Sequence, residues 1–130
     1  MALILDTCGL LSLSGIADKL LSKDCLAEIH ATNPLYISSC SAFEIALKHK
    51  RGQLDLGEFQ THDEYWEACL QRYVVTEVPV SAELFSQAVH LPEHHTDPFD
   101  RLIISTALAL ACPIVTYDRL FDAYSVQTTH

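Results

Sequence analysis

The chain alternates short apolar segments with longer segments of helical spacing, and this alternation constrains the fold most. Five segments predict strands: Ala2–Leu5, Leu35–Ser38, Tyr73–Val78, Pro113–Thr116 and Val126–Thr129. The segments that predict helices are Leu10–Leu13, Asp18–His30, Ser41–Lys50, Thr61–Arg72, Ser81–His90 and the run from Pro98 to Cys112. Such alternation is typical of α/β domains. We therefore expect a mainly parallel sheet of four or five short strands, flanked by helices.

Two of the predicted helices carry clear start signals. Asp97 precedes Pro98, so we expect Asp97 as the N-cap and Pro98 at the first helical position. Ser41 is followed three residues later by Glu44, which predicts a capping box. Helix starts in α/β folds commonly face the carboxyl edge of the sheet, where ligands bind.

Length and apolar patterning predict one domain over residues 1–130. The apolar stretch from Ala107 to Val115 is too short to span a bilayer. Asp6 interrupts the N-terminal apolar segment, so no signal peptide is expected. The five cysteines include no C-x-x-C pair, which favours reduced thiols in a cytoplasmic protein.

Carboxylates come from four separate places in the sequence. Asp6 and Asp118 each follow a predicted strand, Glu44 lies in the first turn of one predicted helix, and Asp97 and Asp100 lie in the first turn of another. Each could simply cap a helix or favour its dipole. Clustered together they would repel one another unless a cation neutralised them. Oxygen-only sites suit Mg²⁺ or Mn²⁺, and the sequence leaves open whether one or two ions bind.

The net charge of −9 argues against a protein that coats nucleic acid through a basic surface. It leaves room for an enzyme that cuts nucleic acid at an acidic metal site. Lys48, Lys50 and Arg51 cluster at the end of a predicted helix, where they either complement the helix dipole or contact RNA phosphates. Arg101 and Arg119 are adjacent to two of the carboxylates and either pair locally or bind phosphate.

Four segments, in order and spacing, resemble one known family. They are LILDTCGLL (3–11), SAFEIALKHKRGQL (41–54), HHTDPFDRLIISTAL (94–108) and PIVTYDRLF (113–121). The chain resembles a PIN-domain ribonuclease of the VapC type, the toxin half of a bacterial toxin–antitoxin pair. The resemblance covers essentially the whole chain and implies a three-layer PIN-like fold. DPFDRLIISTAL is the most specific of its motifs.

The resemblance also implies a site and an activity. The four carboxylates that it implies as catalytic and metal-binding residues are Asp6, Glu44, Asp100 and Asp118. It leaves Asp97 as an accessory ligand or a helix cap, and it implies that the hydroxyls of Thr7 and Thr116 line the site. The implied function is Mg²⁺- or Mn²⁺-dependent cleavage of RNA by a homodimer that has a cognate antitoxin.

Other functions stay open. A PIN fold could be a catalytically silent interaction protein, or a nuclease of RNA turnover without an antitoxin. A phosphatase that uses Asp6 would want a second Asp two residues later, but Cys8 stands there. Cys8 could itself be a nucleophile, although an ordinary thiol is the simpler interpretation.

The leucines near the N-terminus exceed what one short amphipathic helix needs to bury. They are Leu10, Leu11, Leu13, Leu20 and Leu21. They predict either an exposed groove that receives an antitoxin segment or a core face with a homodimer seam.

Overall fold

The strands and helices alternate along the chain in a computed structural model, which describes residues 2–17, 21–93, 96–116 and 128–129. The strands are β1 (Leu3–Leu5), β2 (Leu35–Ser38), β3 (Val75–Val78), β4 (Ile114–Val115) and β5 (Thr128–Thr129). The helices are α1 (Thr7–Leu13), α2 (Lys23–Ala31), α3 (Ser39–Lys50), α4 (His62–Arg72), α5 (Ala82–His90) and α6 (Pro98–Leu110).

The five strands form one sheet in the order β3-β2-β1-β4-β5, and every strand pair is parallel. This confirms the predicted α/β class and parallel sheet. The chain adds β2 and β3 on one side of β1 and then β4 and β5 on the other. The strand order therefore reverses between β1 and β4. In open α/β sheets the crevice at the carboxyl ends of such a strand pair is where ligands bind.

The side chains of β1 divide the interior into two cores. Leu3 and Leu5 belong to a cluster that also contains residues of α1, α2 and α4. Ile4 points to the other face and belongs to a cluster that contains residues of α5 and α6. The molecule thus has helices on both faces of the sheet, which confirms the three-layer architecture.

Helix α3 begins earlier than the sequence predicted. Ser38, the last residue of β2, is the N-cap, and its side chain accepts a hydrogen bond from the backbone N–H of Cys40. The strand therefore passes directly into the helix. The predicted capping box is wrong, because Ser41 is buried inside the helix and Glu44 lies in its second turn.

The N-terminal leucines serve the core. Leu10, Leu11 and Leu21 are buried in one core cluster and the partly buried Leu13 packs against it, which favours the predicted core face over the exposed groove. Leu20 lies outside the described residues. The predicted helix Asp18–His30 begins only at Lys23, because Ser22 caps it and accepts a hydrogen bond from Cys25.

Helix α6 starts as predicted, with Asp97 as its N-cap and Pro98 in its first turn. Its middle is buried from Arg101 to Ala107, whereas Leu108 and Leu110 are partly exposed. The last turn therefore emerges from the core. Of the helices in the described part of the chain, none is long and apolar enough to cross a membrane.

Candidate active site at the carboxyl edge of the sheet

Asp6 lies at the crevice between β1 and β4. It follows β1 directly, and its backbone N–H donates to the carbonyl of Val115 at 3.1 Å. Its side chain caps α1, where Oδ1 accepts a 2.6 Å hydrogen bond from the backbone N–H of Gly9. Only 4% of Asp6 is exposed. A buried carboxylate is thus fixed at the point where the strand order reverses.

Glu44 reaches the same edge from α3, and 8% of it is exposed. Its Oε2 lies 3.0 Å from Nζ of Lys48, one helical turn further along. Its Oε1 is buried and has no hydrogen-bond partner among the residues that the structure describes. A buried polar atom without a partner is unfavourable. This oxygen is therefore available to a cation.

The start of α6 lies against the start of α3. Asp97 Oδ1 accepts a 2.9 Å hydrogen bond from the backbone N–H of Phe99, which shows the capping role that the sequence left open. Cys40 Sγ lies 3.7 Å from the Phe99 carbonyl oxygen. The ring centroids of Phe43 and Phe99 are 5.7 Å apart. Asp100, in the first turn of α6, is brought towards α3 by these contacts.

The pKa of the Cys8 thiol shows how the carboxylates converge. Cys8 is exposed, yet partial desolvation of its thiol is the largest of the causes that raise this pKa to about 11, and the negative charges of Asp6, Glu44 and Asp100 act in the same direction. Lys48 is the charge that opposes them. Since only a thiolate attacks effectively, this environment disfavours Cys8 as a nucleophile.

The Cys40 thiol lies in the same negative field. Its pKa is raised to about 11, mainly by burial. The hydrogen bond with Ser38 lowers this pKa, whereas the charges of Glu44, Asp100 and Asp97 raise it. Helices α3 and α6 therefore both contribute carboxylates to one region. Such like charges repel until a cation neutralises them.

The described residues contain no three His, Cys, Asp or Glu side chains arranged to hold a metal ion. Asp118 and Arg119, both predicted from the sequence as site residues, lie outside the described residues. The described donors are nonetheless carboxylate oxygens, and one of them, Glu44 Oε1, is buried and lacks a partner within the described ranges. Such donors fit a hard divalent cation.

The two predicted hydroxyl residues are both buried. Thr7 Oγ1 donates a 2.9 Å hydrogen bond to Ser41 Oγ, which ties α1 to α3 three residues before Glu44. Thr116 follows β4 directly. The hydroxyl of Thr7 thus links the helix capped by Asp6 to the helix that carries Glu44.

Arg101 is directed into the fold. It is 8% exposed, and its guanidinium donates to the carbonyls of Ala88 at 2.8 Å, Leu91 at 2.7 Å and Pro92 at 3.0 Å. These carbonyls lie at and just beyond the end of α5. Arg101 therefore caps α5. These hydrogen bonds favour local pairing over a phosphate contact, and the partners are main-chain carbonyls.

The other predicted cations lie in and just after the last turn of α3. Lys48 is half-buried, and desolvation lowers its pKa, but the hydrogen bond and charge of Glu44 outweigh this and leave the pKa raised. Lys50 and Arg51 are exposed. These two side chains are accessible to a polyanion.

The Lys48–Glu44 ion pair was not anticipated from the sequence, although residues four apart share a helix face. The hydrogen bond from Gly9 to Asp6 agrees with the capping role that the sequence allowed for Asp6.

Comparison with known proteins decides the family. The PIN-domain family model matches residues 3–127. The chain belongs to the PIN-domain family. No curated protein gives a significant match to it.

Solved structures resemble this PIN domain over nearly its whole length. FitAcB from Neisseria gonorrhoeae is 16% identical, with a TM-score of 0.66 over 98% of this chain and 96% of that one. VapBC2 from Rickettsia felis, bound to a promoter DNA fragment, is 17% identical, with a TM-score of 0.64 over 98% and 97%. VapC20 from Mycobacterium tuberculosis, a sarcin–ricin loop cleaving toxin, is 19% identical, with a TM-score of 0.64 over 95% of each chain. At these identities the likeness establishes the fold.

Proposed function

We propose that this PIN domain, as one domain over residues 1–130, is a metal-dependent endoribonuclease and the toxin of a cytoplasmic toxin–antitoxin pair. The observation that carries the proposal is the buried Glu44 carboxylate, whose Oε1 has no partner in the described part of the chain. It lies in a region of negative charge to which Asp6 and Asp100 also contribute. The resemblance to a toxin that cleaves the sarcin–ricin loop supports RNA as the substrate.

The residues that would hold Mg²⁺ or Mn²⁺ are Asp6, Glu44, Asp100 and Asp118, with Asp97 as an accessory candidate. A divalent cation supplies charge neutralisation at the scissile phosphate and lowers the pKa of the attacking water. Oδ1 of Asp97 already caps α6 by accepting a hydrogen bond from the backbone N–H of Phe99, which is why Asp97 is only an accessory candidate.

The chain's own groups position the reactants. Asp6 is held by its bond to Gly9, and Glu44 holds an ion or orients the attacking water. Thr7 and Thr116 line the site. In hydrolysis the attacking water gives up one proton to solvent as its oxygen forms a bond to phosphorus, the bond from phosphorus to the leaving oxygen breaks, and that oxygen takes up a proton.

The exposed cations Lys50 and Arg51 are proposed to contact RNA phosphates beside the acidic centre. Arg119 remains a proposed phosphate contact. Arg101 does not, because its guanidinium donates hydrogen bonds to the carbonyls at the end of α5. A protein of net charge −9 needs such local cations to hold a polyanion.

An antitoxin partner and a homodimer are also proposed. The support is the family resemblance and the VapBC2 assembly among the similar structures. Light scattering of the purified protein tests the dimer. The antitoxin proposal is tested by co-expressing this chain with a neighbouring open reading frame and purifying the pair through a tag on one chain.

The first experiment is cleavage of a mixed RNA pool by the purified protein without antitoxin. We expect cutting with Mg²⁺ or Mn²⁺ and none with EDTA, because the carboxylates need a cation to act on a phosphodiester. An Asp100→Asn protein purified in parallel controls for contaminating nuclease. Cutting in EDTA, or equal cutting by both proteins, would refute the assignment.

A folded wild-type protein that neither binds Mn²⁺ nor cuts RNA would favour the silent interaction protein. Binding of Mn²⁺ without cutting would instead indicate a narrow RNA target, which is then sought with structured ribosomal fragments.

Lys48 provides a further test. Lys48→Gln is expected to strengthen Mn²⁺ binding about fivefold, or ~1 kcal/mol, because it removes a positive charge that competes for the Glu44 carboxylate. Calorimetric titration with Mn²⁺ measures this. Lys50→Gln removes the same charge from the same helix without that ion pair and serves as the matched control. Equal affinity of the Lys48→Gln and wild-type proteins would show that the ion pair does not compete with the cation.

A further inference from the structure

The first turn of α1 packs against the end of β4 at Gly9. A Cβ atom built on this buried residue would lie 2.9 Å from the carbonyl oxygen of Val115 and 3.0 Å from Oδ1 of Asp6. The Val115 oxygen belongs to the main chain of a buried strand, so it cannot rotate away as a flexible side chain would. Any side chain at position 9 must therefore displace the strand, the Asp6 carboxylate or both.

The requirement for glycine is one of space. The described glycines with positive φ are Gly15, Gly52 and Gly57, and Gly9 is not one of them. The backbone conformation of Gly9 is therefore open to any residue. What only glycine permits is the close approach of α1 to Val115 and Asp6.

Gly9 also holds the carboxylate directly. Its backbone N–H donates to Asp6 Oδ1 at 2.6 Å, while the backbone N–H of Asp6 donates to Val115. Gly9, Asp6 and Val115 are thus in mutual contact across the crevice between β1 and β4. A shift of one is transmitted to the other two.

We propose that Gly9 is a positioning residue, which sets both the direction of the Asp6 carboxylate and the distance from α1 to the end of β4. The spacing at Gly9 therefore bears directly on Asp6, one of the carboxylates assigned to the metal. This inference rests on the proposed function.

The test is Gly9→Ala, measured by Mn²⁺ titration calorimetry and by urea unfolding. We expect Mn²⁺ affinity to fall about 10- to 100-fold, the range seen when groups that orient metal ligands are lost, while unfolding stays cooperative. RNA cleavage should fall in parallel.

Gly15→Ala is the matched control. Gly15 has a φ of +81° and no atom within 4 Å of a built Cβ. This substitution strains the backbone just after the same helix without touching Asp6. It should lower stability and leave Mn²⁺ affinity unchanged.

Each outcome decides the inference. Wild-type affinity in Gly9→Ala would overturn it, as would an equal loss of affinity in Gly15→Ala. If Gly9→Ala fails to fold in buffer, the titration is repeated in trimethylamine N-oxide, which favours folded states. Failure to fold there too would show that Gly9 serves packing alone, which also overturns the proposal. If the wild-type protein neither binds Mn²⁺ nor cuts RNA, it is the proposed function that fails.

Discussion

Asp6→Asn is expected to reduce RNA cleavage by more than about 100-fold while changing the free energy of unfolding by less than about 0.5 kcal/mol. Asparagine caps helices as well as aspartate does, and its side-chain oxygen can still accept the hydrogen bond from Gly9. What disappears is the negative charge on a residue that is almost fully buried. The substitution therefore separates the structural role of Asp6 from its proposed role in binding a cation.

Three measurements on Asp6→Asn make the separation visible. They are RNA cleavage in Mg²⁺, Mn²⁺ affinity by calorimetry, and urea unfolding in EDTA. Asp24→Asn is the matched control, because Asp24 lies in the first turn of α2 and is exposed. Full activity of Asp6→Asn would remove Asp6 from the site. Loss of activity together with loss of cooperative unfolding would reduce its role to capping.

Arg101→Met is expected to lower the free energy of unfolding by about 3 kcal/mol, because hydrogen bonds to a charged donor are worth roughly 1.5–3 kcal/mol each and the acceptors left behind are unsatisfied. The guanidinium of Arg101 donates to carbonyls of Ala88, Leu91 and Pro92. Methionine fills similar space but donates to none of them. The end of α5 should therefore become the weakest part of the fold.

Urea denaturation measures the effect, with Arg72→Met as the control. Arg72 pairs with Glu58 at 3.3 Å in an exposed ion pair, and exposed pairs contribute about 0–1 kcal/mol. If Arg101→Met were as stable as the wild type but bound RNA less tightly, Arg101 would be a phosphate contact after all.

Local sequence signals predicted much of the fold. Asp97 and Pro98 start α6, and Asp6 follows a buried strand, because caps and strand ends depend on residues within a few positions of one another. The alternation of strands and helices predicted the class. These features need no knowledge of distant partners.

Features that depend on tertiary partners could not be predicted. Ser41 has the sequence position of a cap, yet Ser38 is the N-cap of α3, because β2 runs into the helix without a loop. Arg101 was adjacent in sequence to a carboxylate, yet it donates to carbonyls about ten residues earlier. The N-terminal leucines seemed too many for one helix, but two core clusters exist and one of them contains three of those leucines.

The Glu44 oxygen that lacks a partner among the described residues also has a thermodynamic consequence. A cation that binds only the folded state stabilises it by mass action, in proportion to the logarithm of its concentration above Kd. Each tenfold increase in free cation then adds about 1.4 kcal/mol to the free energy of unfolding. Under the proposed function, a shortage of divalent cations would therefore lower both the activity of this protein and its lifetime in the cell.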